Sequence, residues 1–257
     1  MQESGADFLA YKGMAVLLWL AIFFAAERAW PAAPYPVAAP PKLGRLAGNG
    51  ALWGINAVLS VAVVVPVTAW AAGTAPPWRP LWWSGPGGLA LDLLILDGFI
   101  YWWHRLNHRV PFLWRFHSVH HLDRILDSTT ALRFHFGEVA ISAAARAVVV
   151  LALAVPLVSV LAFETLLLIA TIFHHSNLRL PRTLEYALSR VVVTPSIHWV
   201  HHHRTRADTD SNYSTVLSIW DPLFRSRSRT RRTPDLEIGV EGREELPVLG
   251  LVAAPFR

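Results

Sequence analysis

Three histidine clusters have the spacing that metal sites on helices require. His104-Arg-Leu-Asn-His108 sets two imidazoles at i and i+4, one turn apart on a single helix face. His117-Ser-Val-His120-His121 and His198-Trp-Val-His201-His202 each offer i, i+3 and i+4 positions, and a further pair, His174 and His175, lies in the stretch FHHSN. All 12 histidines fall between His104 and His203, where chance would scatter them through both ends. Imidazole suits iron, zinc and copper, and eight or nine such ligands exceed the needs of any one ion, so two metals are implied. Of the adjacent pair, His175 is favoured as a ligand and His174 as its neighbour. His203 extends the third cluster and reads as a neighbour, with Asn177 beside the FHHSN pair in the same supporting role. His135, in ALRFHFGE, has no partner at helical spacing and reads as structural or supporting. Asp97 precedes His104 by seven residues and Tyr101 by three, so both share its face. A carboxylate there is expected to orient His104 or His108 through the second ring nitrogen.

The elements that must hold these groups read as membrane helices. Of the 257 residues, 53% are apolar and 16% charged, with mean hydropathy +0.36, too little polar side chain to coat a soluble globule of this size. Ala10 to Trp30 suits a first span, with Lys12 and Arg28 snorkelling at its ends. Lacking a basic leader and a small-residue cleavage site, it reads as a retained span rather than a signal peptide. Pro31 to Gly50 is a Pro/Gly/Ala-rich connector carrying Lys42 and Arg45. Ala51 to Ala72, with Asn56 and Pro66 inside it, is a second span, and PPWRPLWWSGPGG reads as an interfacial aromatic belt. Leu89 to Trp103 is a third, apolar except for Asp92 and Asp97, which are costly in a span unless paired. Val139 to Phe173 is broken at Pro156, and fits either a short helical hairpin or one kinked helix. Thr183 to Val193 is a shorter helix, and the chain from Arg204 is soluble in composition, with a basic patch at Arg225, Arg227, Arg229, Arg231 and Arg232.

The fold class expected is therefore all-α, an integral membrane bundle of about three full spans plus a hairpin, with a histidine-rich helical cap. Loop arginines put the amino terminus outside and the cap and carboxyl terminus in the cytosol, as in a bacterial inner membrane protein. Zero cysteines exclude disulfides, thiolate zinc sites and cysteine-ligated iron–sulfur clusters. The net charge of +5 is too modest for nucleic acid. Gly85-Pro-Gly87-Gly88-Leu-Ala90 fits a dinucleotide fingerprint only formally, because it opens a membrane span rather than following a strand.

HRLNH, HSVHH and HWVHH resemble the HxxxH, HxxHH, HxxHH signature of the fatty acid hydroxylase / sterol desaturase superfamily of membrane di-iron oxygenases. The resemblance covers roughly Asp97 to Phe224, including LWRFHSVHH, LDSTTALRFH, FHHSN, DSNYS and WDPLF, and leaves 225–257 as a basic tail on a single domain. Phe136 stands where many relatives have proline after RFH, and Arg225-Ser226 where they have a glycine-containing turn. The resemblance implies two iron ions held by His104, His108, His117, His120, His121, His198, His201 and His202, with His175 as the ninth ligand. It implies attack on an unactivated C–H bond of a lipid with O2 as co-substrate. The lipid would enter from the bilayer past walls such as Phe99, Trp102, Trp103 and Phe173, and two electrons would come from a separate donor protein. Hydroxylation is expected over desaturation, since it needs only one C–H bond correctly placed. A metal transporter would carry its ligands at midspan rather than at helix ends. A bis-histidine haem carrier would leave the HxxHH triplets unused.

Overall fold

The computed structural model describes residues 5–35 and 42–257, with side chains described for 13–35 and 43–257. The side chains of Lys12 and Lys42, and the middle of the Pro31–Gly50 connector, lie outside the described residues. In chain order the helices that position the site are α1 (Gly5–Ala29), α2 (Lys42–Leu59), α3 (Val65–Thr74), α4 (Gly85–Arg109), α5 (Pro111–His121), α6 (Phe136–Leu153), α7 (Leu157–His175), α8 (Arg182–Leu188) and α9 (Pro195–His201). There is no β-sheet among the described residues, only isolated bridges.

Among the described residues, three helices are long and apolar enough to cross a membrane: Leu43–Thr74, Phe136–Leu153 and Leu157–His175. The first is α2 and α3 joined through a π-helical turn, Ser60–Val64, in which Val65 donates back to the Ser60 carbonyl. Pro66 explains the turn: its ring cannot donate and crowds the carbonyl four residues back, so the ladder widens by one residue just before it. This helix begins at Lys42, well ahead of the Ala51 expected from composition, because its first turns carry polar side chains that are buried in the cap.

Residues 139–173 form a hairpin of two helices rather than one kinked helix. Ala154 takes a left-handed conformation (φ 49°) after α6, and Pro156 then starts α7. Helices α4, α6 and α7 share an apolar core in which Leu96, Ala147, Val150, Val160 and Phe163 are buried, with α3 packed on α6 and α1 on α7. Asp92 lies in this bundle but is paired: it accepts from Arg79 (2.7 Å), Trp83 Nε1 (3.0 Å) and the Ser159 hydroxyl (2.6 Å). It thereby ties the Trp/Pro-rich loop to α4 and to the start of α7. Trp82 and Leu81 in that loop are exposed, as an interfacial belt requires.

At the other end the cap is tied by buried charge. The Arg45 guanidinium bonds Asp123 (2.6 and 2.8 Å), Asp127 (2.9 and 3.0 Å), the Ile125 carbonyl (2.6 Å) and Thr130. Burial alone would raise the Asp123 carboxyl, but Arg45 and Arg133 hold it down to about 2. Glu27 of α1 accepts from the Ser128 amide and hydroxyl (3.0 and 2.7 Å) and from the Asn177 amide (2.8 Å), so it bridges two turns 49 residues apart in sequence. The segment 225–257 is folded onto the cap: Leu251 is buried against Leu52, Val119 and Leu122, Arg243 donates to Ser118, and Glu245 pairs with Arg133 at 2.7 Å. Removing one partner of such a buried network leaves the others unpaired in an apolar setting. We therefore expect Arg45→Met to destabilise the protein by about 3–5 kcal/mol, read as a lower midpoint of thermal unfolding in detergent, with Arg182→Met on the surface unchanged.

Candidate metal centre

Proline sets the start of both helices that carry a triplet. Pro111 and Pro195 occupy the first turns of α5 and α9, where a missing N–H costs nothing, after residues in extended conformation. His104 and His108 lie on the last two turns of α4, and His175 ends α7. These helix ends converge in the cap, and every one of the nine histidines expected as ligands is buried.

They divide into two groups that share no residue. His104, His108, His117, His121 and His201 bring one ring nitrogen each within 4.8 Å of the others; His120, His175, His198 and His202 do the same. Each group can hold a metal ion. The division is built from helical geometry: in α5 the i and i+4 rings, His117 and His121, serve the first group and the i+3 ring, His120, turns to the second. In α9 the roles are exchanged, with His198 and His202 in the second group and His201 in the first. The adjacent pairs therefore interlock the groups, and His121 stacks on His202 with centroids 4.2 Å apart.

Ring orientation is set from behind. The Nδ1 of His104 faces the Tyr213 carbonyl (2.8 Å), that of His120 the Arg133 carbonyl (3.2 Å), that of His175 the Thr171 carbonyl (2.8 Å) and that of His201 the Ser211 carbonyl (2.7 Å). A carbonyl only accepts, so each Nδ1 carries the proton and each Nε2 is a bare lone pair aimed inward. The Nδ1 of His117 instead meets Glu138 Oε1 at 2.7 Å, and Asn107 steadies that carboxylate.

The donor set fits metal ions. In the second group His120 and His175, His175 and His198, and His198 and His202 hold their Nε2 atoms 3.0, 3.0 and 3.1 Å apart. About 3.0 Å is the spacing of neighbouring ligands at right angles around an ion with metal–nitrogen bonds near 2.1 Å. In the first group the Nε2 atoms of His108, His117, His121 and His201 are buried with no protein partner. Buried polar atoms without partners are rare, and here they belong to rings whose nitrogens gather within 4.8 Å of one another. Burial first, and then crowding by neighbouring imidazoles, hold His120, His121, His198, His201 and His202 well below 6.5, so their rings are neutral and able to donate.

The other residues singled out by sequence lie around or away from the two groups. His174 is buried with Nδ1 on the Thr215 carbonyl and its ring 4.0 Å from that of His198, in neither group. His203 is on the cap surface and bonds Asp208. His135 caps α6 by accepting from Gly137, and Asn177 holds the backbone of Ala33. Asp97 orients neither His104 nor His108: its Oδ2 accepts from the Leu217 amide (3.1 Å) and Trp220 Nε1 (2.7 Å). Seven residues along a helix are about 10 Å, beyond the reach of an aspartate. Tyr101 bonds Ser226. Spacing gave no sign of Glu138, which reaches His117 from the start of α6, or of Phe134, stacked on His120 at 4.3 Å.

A cavity of about 330 Å³ opens from this centre between the helices. Its inner end is formed by His104, His117, His120, His175 and His198, and its walls by residues such as Ile100, Trp103, Leu167 and Leu168. Of the aromatic walls expected, Trp103 lines it; Phe99 packs in the bundle core, Trp102 against Phe224, and Phe173 against Phe23.

A family model described as fatty acid hydroxylase matches residues 89–226, over half of the chain and all nine histidines. The chain belongs to the fatty acid hydroxylase family. It is similar to the ornithine lipid hydroxylase OlsE of Rhizobium tropici, 30% identical over 174 residues, covering 68% of this chain and 52% of that protein. It is also similar to the alkylglycerol monooxygenases of Xenopus tropicalis (33%) and Homo sapiens (32%), each over 142 residues, 55% of this chain and 31% of theirs. The chain thus spans about half the length of the first relative and under a third of the others. No solved structure matches it.

The Glu138 contact leads to a measurable expectation for this fatty acid hydroxylase family member. Glu138→Gln removes the carboxylate behind His117 and should weaken metal retention about 10- to 100-fold, measured by chelator competition. Acid should act separately on the metal-stripped protein. The five cap imidazoles have folded values below 6.5, so the unfolded chain binds more protons; stability is full above about 6.5 and falls as pH drops below it. A metal-free unfolding midpoint independent of pH between 7 and about 5 would contradict the buried, neutral rings.

Proposed function

We propose that this chain is a membrane non-haem di-iron oxygenase that hydroxylates an unactivated C–H bond of a lipid, using O2 and two electrons from a separate donor protein. The observation that carries this reading is that two adjoining imidazole groups line a largely apolar cavity between helices long and apolar enough to cross a membrane. The ligands are His104, His108, His117, His121 and His201 for one iron, and His120, His175, His198 and His202 for the other.

Each part of the chain has a task in that reaction. Ile100, Trp103, Leu167 and Leu168 take up the lipid chain from the bilayer, exclude water and lead one carbon to the inner end. The backbone carbonyls of Tyr213, Arg133, Thr171 and Ser211 keep four rings in one tautomer through the cycle, and Glu138 with Asn107 fixes His117. When bound, two irons supply the activation of O2 that cleavage of such a C–H bond demands. In balance, the substrate C–H, O2, two electrons and two protons become an alcohol and water.

Hydroxylation is favoured over desaturation because the relatives named above are a hydroxylase and monooxygenases. A transporter is disfavoured because the imidazoles gather at helix ends in the cap. The arginines of the cap segments, from Arg105 to Arg133, support a reading with the histidine cap and the carboxyl terminus in the cytosol, the amino terminus outside and the protein in a bacterial inner membrane.

Purified protein should contain about two irons per chain, and under labelled dioxygen with a lipid extract and a reducing system it should put label into a lipid alcohol. His120→Ala and His201→Ala should abolish that product while leaving the protein in the membrane. Label found only in water beside a new alkene would instead show a desaturase, and full activity in both variants would remove the di-iron assignment. A reporter fused after Arg257 should be active only on the cytosolic face.

A further inference from the structure

The electrons for each turnover have to reach a centre whose histidines are all buried, in a chain with no cysteine to hold an iron–sulfur cluster of its own. Electron tunnelling weakens steeply with distance and carries best through atoms in contact. The place of entry is therefore set by the side chain that joins a ligand ring to the aqueous surface. Among the described residues three aromatic side chains lie against ligand rings. Tyr213 is wholly buried, and Phe134, stacked on His120, lines the apolar cavity. The third is Trp114, whose ring centroid lies 5.0 Å from that of His108, 5.4 Å from that of His121 and 6.2 Å from that of His117. It is half-buried, and it lines a surface recess of about 400 Å³ with Arg204, Arg206, Thr209 and Glu241. Charged walls of that kind belong to the aqueous side of the cap rather than to lipid.

We propose that Trp114 is the electron port of the centre, where a reduced one-electron carrier at the recess passes its electron through the indole to the rings of His108 and His121. This rests on the di-iron reading above. At each encounter the carrier is oxidised by one electron and one ferric ion becomes ferrous; no bond forms or breaks, and two encounters supply a turnover. Trp114 touches rings of the first group alone, so electrons arrive there, and the stacking of His121 on His202 at 4.2 Å leads on to the second. Arg206 fixes the indole. Its guanidinium lies 4.5 Å over the ring and bonds the His108 carbonyl at 2.8 Å and Asp210 at 2.9 Å. A cation over the ring makes loss of an electron from it harder, so the indole serves as a bridge and is not itself oxidised.

Because the chain has no cysteine, Glu241→Cys accepts a ruthenium–bipyridine label at one place, on the recess wall. A flash in the presence of ascorbate makes Ru(I), and its return to Ru(II) as ferric iron is reduced is followed by transient absorption in the purified, iron-loaded protein. Trp114→Leu should slow that injection about 10- to 100-fold, the scale on which residues packed behind metal ligands act. Iron content and the ferric absorption band should stay at the wild-type level, and Trp114→Phe, which keeps a ring, should restore most of the rate. A label on Arg229→Cys, in the groove beside Ile197 and Val200 of α9, approaches from elsewhere, and its injection should not respond to Trp114. An undiminished rate from the Glu241→Cys label in Trp114→Leu, or equal slowing from both labels, would overturn the port. Should Trp114→Leu lose iron, Trp114→Met makes the same comparison. These readouts need no turnover. Injection that depends on Trp114 in a protein that oxidises no lipid would defeat the hydroxylase reading and leave the port standing, whereas lipid oxidation with injection indifferent to Trp114 would retire the port alone.

Discussion

Nine imidazoles sit in the interior of one small cap, and a neutral imidazole has one nitrogen that must donate and one that must accept. Taking that many polar rings out of water costs least where both nitrogens of a ring are answered. Four of the outer nitrogens meet backbone carbonyls and a fifth meets Glu138, while Nδ1 of His108, His121, His198 and His202 is buried without a hydrogen-bond partner among the described residues. The carbonyls of Tyr213, Arg133 and Ser211 come from irregular chain, which leaves acceptors unused that a helix or sheet would have consumed. That arrangement explains why the cap is short helices and turns rather than longer regular elements. The inner nitrogens have no such answer within the protein, and metal ions supply one.

Holding irregular chain in register needs rigid supports, and the buried carboxylates provide them. Asp123 and Asp127 fix the turn after α5 to Arg45 on α2, Glu27 fixes the next turn to α1, and Asp221 takes the amides of Tyr213 and Ser214 at 2.8 and 3.0 Å. The last of these bears directly on His104, since its Nδ1 contact is the carbonyl of that same Tyr213. Charge buried in this way adds little net stability but fixes position, because any other geometry leaves an ion unpaired.

How much of this was legible in sequence depended on range. Spacing within a helix is set by the chain itself, so His104 with His108 and the two HxxHH triplets could be grouped without a structure. Asp92 was readable as a carboxylate needing partners, though Ser159 on another helix could not be named. The sharing of each triplet between two groups follows from the angle at which α5 and α9 meet, a tertiary quantity. Glu138 was silent because its contact with His117 joins two helices through a turn of no regular pattern. Asp97 misled because a shared helix face says nothing of distance along the axis. Phe99, Trp102 and Phe173 misled because aromatic content does not tell which side of a helix faces the cavity.

The pairing of Glu245 with Arg133 bears on when the centre can be completed during synthesis. Arg133 reaches the Val119 carbonyl with its Nε, touches Asn49, and offers its own carbonyl to His120. The ribosome makes Glu245 more than forty residues after His202, and Leu251, which seals Leu52 and Val119, later still. Chains emerge and fold from the amino end, so the helices can enter the bilayer and bring their imidazoles together before the clasp behind His120 exists. Until Glu245 and Leu251 are in place, the Arg133 guanidinium lacks its carboxylate and Leu52 and Val119 lack their cover.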